Sequence, residues 1–163
     1  MNVMATLILC AGVFDDLRTQ KIHNKLILAL LALTVLALLI LSGPYAFIPA
    51  LYSFLLALAF ALPLTLAGVL GAGDMKLFAV FALATDMVGV THVAIFSVVW
   101  GALLGLLRAL FMGKARELLL STTQLIWMKG GPAREAFKFP YSVALLFGWL
   151  SHLTVTHLGM SLW

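Results

Sequence analysis

Leu26–Leu41 reads LILALLALTVLALLIL, a run in which Thr34 is the one polar residue. A surface helix of a soluble protein keeps a charged or polar face for water, and this run has none. An α-helix rises 1.5 Å per residue and needs roughly 20 apolar residues to cross a bilayer core. The run therefore reads as a membrane-crossing helix completed by its flanks. Five further apolar segments accompany it: Val3–Phe14, Phe47–Leu70, Met75–Val88, Val90–Met112 and Phe139–Leu158. Composition agrees, since 64% of the 163 residues are hydrophobic and 10% are charged, whereas soluble domains are about 25% charged. These proportions exclude a water-soluble globular fold. The expectation is an all-α integral membrane protein of about six transmembrane helices, forming a single membrane-embedded domain over 1–163.

The first and fourth segments are too short as apolar runs. They gain length only by carrying polar neighbours, Asp15-Asp16 in one case and Gly73-Asp74 in the other. The helices are accordingly expected over about 3–19, 26–41, 47–70, 75–88, 90–112 and 139–158. The formal charge of +4 matters less than its placement. All ten Lys and Arg fall in three places: Arg18, Lys21 and Lys25; Lys76; and Arg108, Lys114, Arg116, Lys129, Arg134 and Lys138. With six spans, these places share one side. By the excess of basic residues on cytoplasmic loops, that side is cytoplasmic and both termini lie outside.

The long connection of about 113–138 then lies in the cytoplasm. Within it, 115–128 mixes Arg116 and Glu117 with leucines and Trp127, and an interfacial amphipathic helix and an ordinary connector are both compatible with that pattern. The first residues lack a basic region and a small-residue cleavage site, so the first segment is expected to be a retained helix. Cys10 is the one cysteine, which rules out an internal disulfide and a cysteine zinc cage.

Ionisable residues inside spans are costly and are functional candidates by default. Asp16 closes the first segment, and Asp74 opens the fourth within Gly71-Ala72-Gly73-Asp74-Met75-Lys76. The topology puts both at one membrane depth. Two carboxylates a few Å apart in a low dielectric cannot easily both ionise, so they share a proton. The charged member can activate a water while the neutral member protonates a carbonyl oxygen or leaving amine. Gly71 and Gly73 lack Cβ, which permits an irregular or closely approached backbone beside Asp74, or simply tight helix packing. Such chemistry needs no metal and no organic cofactor. Asp15 reads as a solvated neighbour, Arg18, Lys21 and Lys25 as topology-fixing cations, and Lys76 as a headgroup anchor or a partner of Asp74. Asn24 is a candidate for orienting the first cytoplasmic loop. Asp86, His92, His152 and His157 read as interfacial residues of the outer side.

Asp16-Leu17-Arg18-Thr19-Gln20-Lys21-Ile22-His23-Asn24 resembles the D-x-R-x-x-x-I-P-N segment of type IV prepilin peptidases. Gly71-Ala72-Gly73-Asp74-Met75-Lys76 is similar to their G-x-G-D-x-K motif, and Phe139-Pro140-Tyr141-Ser142-Val143-Ala144-Leu145 to the proline-led start of their last helix. The resemblance implies an intramembrane aspartic endopeptidase of the bacterial plasma membrane. Such enzymes remove a basic leader from prepilin-like membrane proteins at the cytoplasmic face, in pilus biogenesis and protein secretion. The two catalytic positions carry over to Asp16 and Asp74, with Gly71, Gly73, Lys76, Arg18 and Asn24 as supporting motif residues. His23 stands where the family usually has Pro. Longer members carry Cys-x-x-Cys pairs associated with methyl transfer. This chain resembles the minimal form that serves Flp/Tad-type pili, so no methyltransferase activity is expected. The implied partners are a prepilin-like substrate and the lipid bilayer, with no nucleic acid, and nothing here specifies an oligomeric state.

Two other classes remain open from the residues alone. One is a proton- or ion-coupled transport subunit, which would place ionisable groups near the midplane, often in repeated halves. The other is a non-enzymatic subunit of a pilus or secretion assembly, which has no need of paired aspartates.

Overall fold

The computed structural model describes residues 2–111 and 141–159, and the connection that holds 115–128 lies outside them. The described residues form six α-helices: α1 (Asn2–Thr19), α2 (Asn24–Leu41), α3 (Phe47–Leu66), α4 (Ala72–Leu83), α5 (Met87–Phe111) and α6 (Tyr141–His157). A short 3-10 turn, Pro44–Ala46, precedes α3. By length and apolarity, α2, α3 and α5 are able to cross a membrane. The other three fall short: α1 carries Asp15, Asp16 and Arg18, while α4 has 12 residues and α6 has 17.

Burial explains how so short a helix as α4 belongs in this fold. Every residue from Leu77 to Ala84 is buried. The helix packs against α1, α2, α3 and α6, so its neighbours supply its apolar surroundings. By contrast α2 buries one stripe, Ile27, Leu30, Thr34 and Leu38, and leaves large residues such as Leu28, Leu33 and Ile40 outward. The stripe that α3 buries is small, Ala50, Ser53, Ala57 and Ala61. Small residues let two helix backbones approach, which is how helices associate where lipid offers no hydrophobic drive.

The core gathers around α4. Phe81 meets Trp149 of α6 edge-on, with ring centroids 5.2 Å apart, and Ile8, Leu9 and Leu77 pack beside them. The indole N–H of Trp149 donates to Thr6 Oγ1 at 2.8 Å, which satisfies a donor that burial would otherwise strand. α5 and α6 form the most extensive helix pair among the described residues. There Gly148 lies against backbone: a Cβ at this position would be 3.0 Å from Ser97 N and Val93 O.

The helix boundaries differ from the sequence expectation for physical reasons. The third apolar run continues to Leu70, but α3 stops at Leu66. Gly68 takes φ +75°, its N–H bonds Thr65 O, and the Val69 N–H reaches back to Leu64 O at 2.9 Å. This is the Schellman helix stop, which needs a left-handed residue that glycine supplies without strain. The fourth helix sits earlier than the expected 75–88, so Asp74 lies inside its first turn. His92 and His152, expected at an outer interface, are instead buried in the α5–α6 seam with their Nδ1 atoms 3.0 Å apart.

A close backbone approach makes a steric prediction. Gly148→Ala should cost about 1–3 kcal/mol through overpacking, seen as earlier unfolding of the detergent-solubilised protein. Gly105→Ala, where a Cβ meets nothing within 4 Å, should leave the transition unchanged or slightly later.

Candidate functional site

Asp16 lies in the last turn of α1 and is buried. Asp74 occupies the third position of α4, with Gly71 as the residue that caps the helix start. Its carboxyl group folds back to the Gly71 backbone N–H. That is the reciprocal half of a capping box, in which an acidic side chain at the third helical position satisfies the cap residue's own amide. The fold-back explains Gly71 without recourse to dihedral strain, because its φ of −71° suits any residue. A Cβ there would lie 2.9 Å from Asp74 Oδ2. Gly73 has a different neighbour, since its Cβ would meet Ile22 Cβ at 3.1 Å. The glycine pair thus serves close contact within a regular first turn, and the irregular backbone is the turn before it, between Leu66 and Ala72.

The two aspartates converge on the first turn of α6. Ser142 Oγ–H donates to Asp16 Oδ2 at 2.5 Å, and the Ser142 backbone N–H bears on the Asp74 carboxyl. Asp16 is near enough to act electrostatically on Asp74. Asp74 Oδ1 is buried and has no hydrogen-bond partner among the described residues. Tyr141, the neighbour of Ser142, hydrogen-bonds Ser97 Oγ of α5 at 3.1 Å. It also lines a small apolar cavity with Phe60, Leu64, Leu70 and Phe78.

The remaining motif residues hold the segment between α1 and α2. Lys76 Nζ donates to Asn24 Oδ1 at 2.9 Å. Lys76 therefore ties the start of α4 to the start of α2, and the expected alternatives of a headgroup anchor or an Asp74 partner give way to this link. Arg18 is exposed and acts on Asp15. Asp15, expected to be merely solvated, accepts the His23 backbone N–H at 2.8 Å and faces the His23 ring Nδ1 at 3.1 Å. It thereby fastens the loop whose Ile22 covers Gly73.

Ser142 was not a candidate in the sequence. It lay within the Phe139–Leu145 stretch that resembles the family's last-helix start, and nothing in that stretch names its partner. Chemically, the site offers two carboxyl groups of different hydrogen-bond provision: Asp16 receives a serine hydroxyl, while Asp74 receives two backbone amides and keeps one bare oxygen. A family model described as the type IV leader peptidase family matches residues 3–106, which include both aspartates. Neither the search of curated proteins nor that of solved structures returns a match.

The loop makes a prediction about residue 23. Its φ of −72° and ψ of 133° already suit proline, but proline has no N–H for Asp15. His23→Pro should therefore be close to neutral for thermal stability. In an Asp15→Ala background, where that bond is already gone, it should stabilise by about 0.4–1 kcal/mol through the unfolded chain. Equal effects in both backgrounds would contradict the Asp15–His23 bond.

Proposed function

The chain belongs to the type IV leader peptidase family, and from that premise we propose that it is an aspartic endopeptidase whose catalytic pair is Asp16 and Asp74. The observation that carries this reading is the convergence of two acidic side chains, from helices distant in sequence, on one residue of a third helix. Acidic groups are costly in a membrane protein interior and persist there when chemistry needs them. The pair lies at the end of the helices where Arg18, Lys21, Lys25 and Lys76 also sit, and not near the middle as an ion relay would require.

In this proposal six segments span the bacterial plasma membrane, with the basic end in the cytoplasm. The chain is then one membrane-embedded unit, and α4 is shielded from lipid by the helices around it. The substrate is a prepilin-like protein, whose basic leader stays in the cytoplasm while its apolar helix lies in the bilayer. The scissile bond at the junction reaches the pair at the same depth. The charged carboxylate takes a proton from water as the oxygen attacks the carbonyl carbon. The neutral one donates to the carbonyl oxygen; as the C–N bond breaks, the first gives its new proton to the departing amine and the second regains a proton from the tetrahedral hydroxyl. Lys76 and Asn24 hold the α1–α2 loop against α4, which keeps the two carboxyl-bearing ends in register. Gly71 leaves room for the Asp74 carboxyl.

Asp16→Asn and Asp74→Asn, each inserted at normal levels, should each lower leader removal from a co-expressed prepilin by about 10²–10⁴-fold. Full processing by either variant would remove the pair from the mechanism. The wild-type rate should be bell-shaped in pH. It falls in acid when both carboxyls are protonated and in alkali when both are ionised. A flat profile would contradict proton sharing.

A further inference from the structure

We infer that Ser142 is a positioning residue that divides the roles within the pair, its hydroxyl holding Asp16 as the charged, water-activating member while Asp74 carries the shared proton. This deepens the peptidase reading above and rests on it. Ser142 lies beyond residues 3–106, the part that the family model matches.

The argument begins with donors and acceptors. A hydroxyl donates one hydrogen, and Ser142 is fully buried with its Oγ directed at Asp16 Oδ2 at 2.5 Å. That separation is at the short end of O–H···O hydrogen bonds, about 2.5–3.0 Å. A donor to a carboxylate favours the charged form of that carboxylate. Asp74 is provisioned differently: the Gly71 and Ser142 backbone amides bear on its carboxyl, yet its Oδ1 is buried without a partner. A bare buried oxygen is tolerated far better on a neutral acid than on an anion. A protonated Oδ1 has a hydrogen to give, and an incoming substrate carbonyl supplies the acceptor that the resting site lacks. Ser142 touches both groups, by hydroxyl on Asp16 and by amide on Asp74, so it fixes their spacing as well as their roles. Tyr141 anchors this turn of α6 to Ser97 of α5. Among the residues whose side chains are described, the other ionisable groups at this end are Asp15 and Arg18 on α1, Lys21 and His23 in the loop, Lys25 on α2, Lys76 on α4 and Tyr141 on α6. All are left in place in the test.

The experiment compares Ser142→Ala and Ser142→Thr with wild type, measuring kcat, KM and the pH profile on a purified prepilin in detergent. Ser142→Ala should lower kcat by about 10–100-fold with little change in KM. Its acidic limb should move to higher pH, because the anion has lost its donor. Ser142→Thr keeps the hydroxyl and should keep the wild-type acidic limb even if the added methyl lowers stability. A second readout on wild type needs no Ser142 variant. At neutral pH, the infrared band of a protonated carboxyl should be present and should vanish in Asp74→Asn. A wild-type rate and profile in Ser142→Ala, a rate loss with both limbs unmoved, a Thr variant shifted like Ala, or a band that survives Asp74→Asn would each overturn the inference. Activity in Asp16→Asn or Asp74→Asn would instead overturn the peptidase reading beneath it.

Discussion

The constraint on which the structure turns is the placement of two acidic side chains, buried Asp16 and half-buried Asp74, beside one another in a largely apolar bundle. Asp16 and Asp74 arrive on the ends of different helices and are brought together by the first turn of α6. Such a meeting is expensive unless hydrogen bonds offset the loss of water. Here the offsets are few and specific. A serine hydroxyl serves Asp16, two backbone amides serve Asp74, and one Asp74 oxygen is left bare. On the proposed reading, that incompleteness leaves Asp74 an oxygen for substrate or water to meet.

The rest of the fold keeps these ends in place. α4 can be short because α1, α2, α3 and α6 enclose it, and small residues on α3 allow close packing there. Gly148, at the middle of α6, lets that helix seat its backbone against α5, with Ser142 at the start of the same helix. Below the pair, two polar links fasten the loop between α1 and α2. Lys76 reaches Asn24, and Asp15 holds His23. The Asp15 link depends on a backbone N–H that a proline at position 23 would lack, so Asp15 and His23 act as a couple.

Much of this was legible in the sequence, and the reasons are physical. Long apolar runs have one solvent available to them, so α2, α3 and α5 were plain from composition and length. Asp16 and Asp74 stood out because charge in such runs is costly. What the sequence left hidden was set by contacts or by single backbone angles. Gly68 ends α3 through a positive φ, although Val69 and Leu70 prolong the apolar pattern. Lys76 chose Asn24 through tertiary geometry that spacing cannot encode. His92 and His152 looked peripheral because a polar residue near a segment end usually faces headgroups, yet a mutual hydrogen bond lets them be buried. Ser142 lay in a family-like stretch without a partner in view, since its contacts with α1 and α4 are tertiary.

The most direct test of the central claim is whether positions 16 and 74 meet in the folded, membrane-inserted protein. With Cys10 replaced by Ser, Asp16→Cys and Asp74→Cys are combined, and a short bifunctional thiol reagent is applied to membranes before mass spectrometry of the cross-linked peptides. The account predicts rapid bridging of this pair and none between Asp16→Cys and Asp86→Cys, which lie at opposite ends of the helices. An unbridged 16–74 pair alongside a bridged 16–86 pair would contradict it.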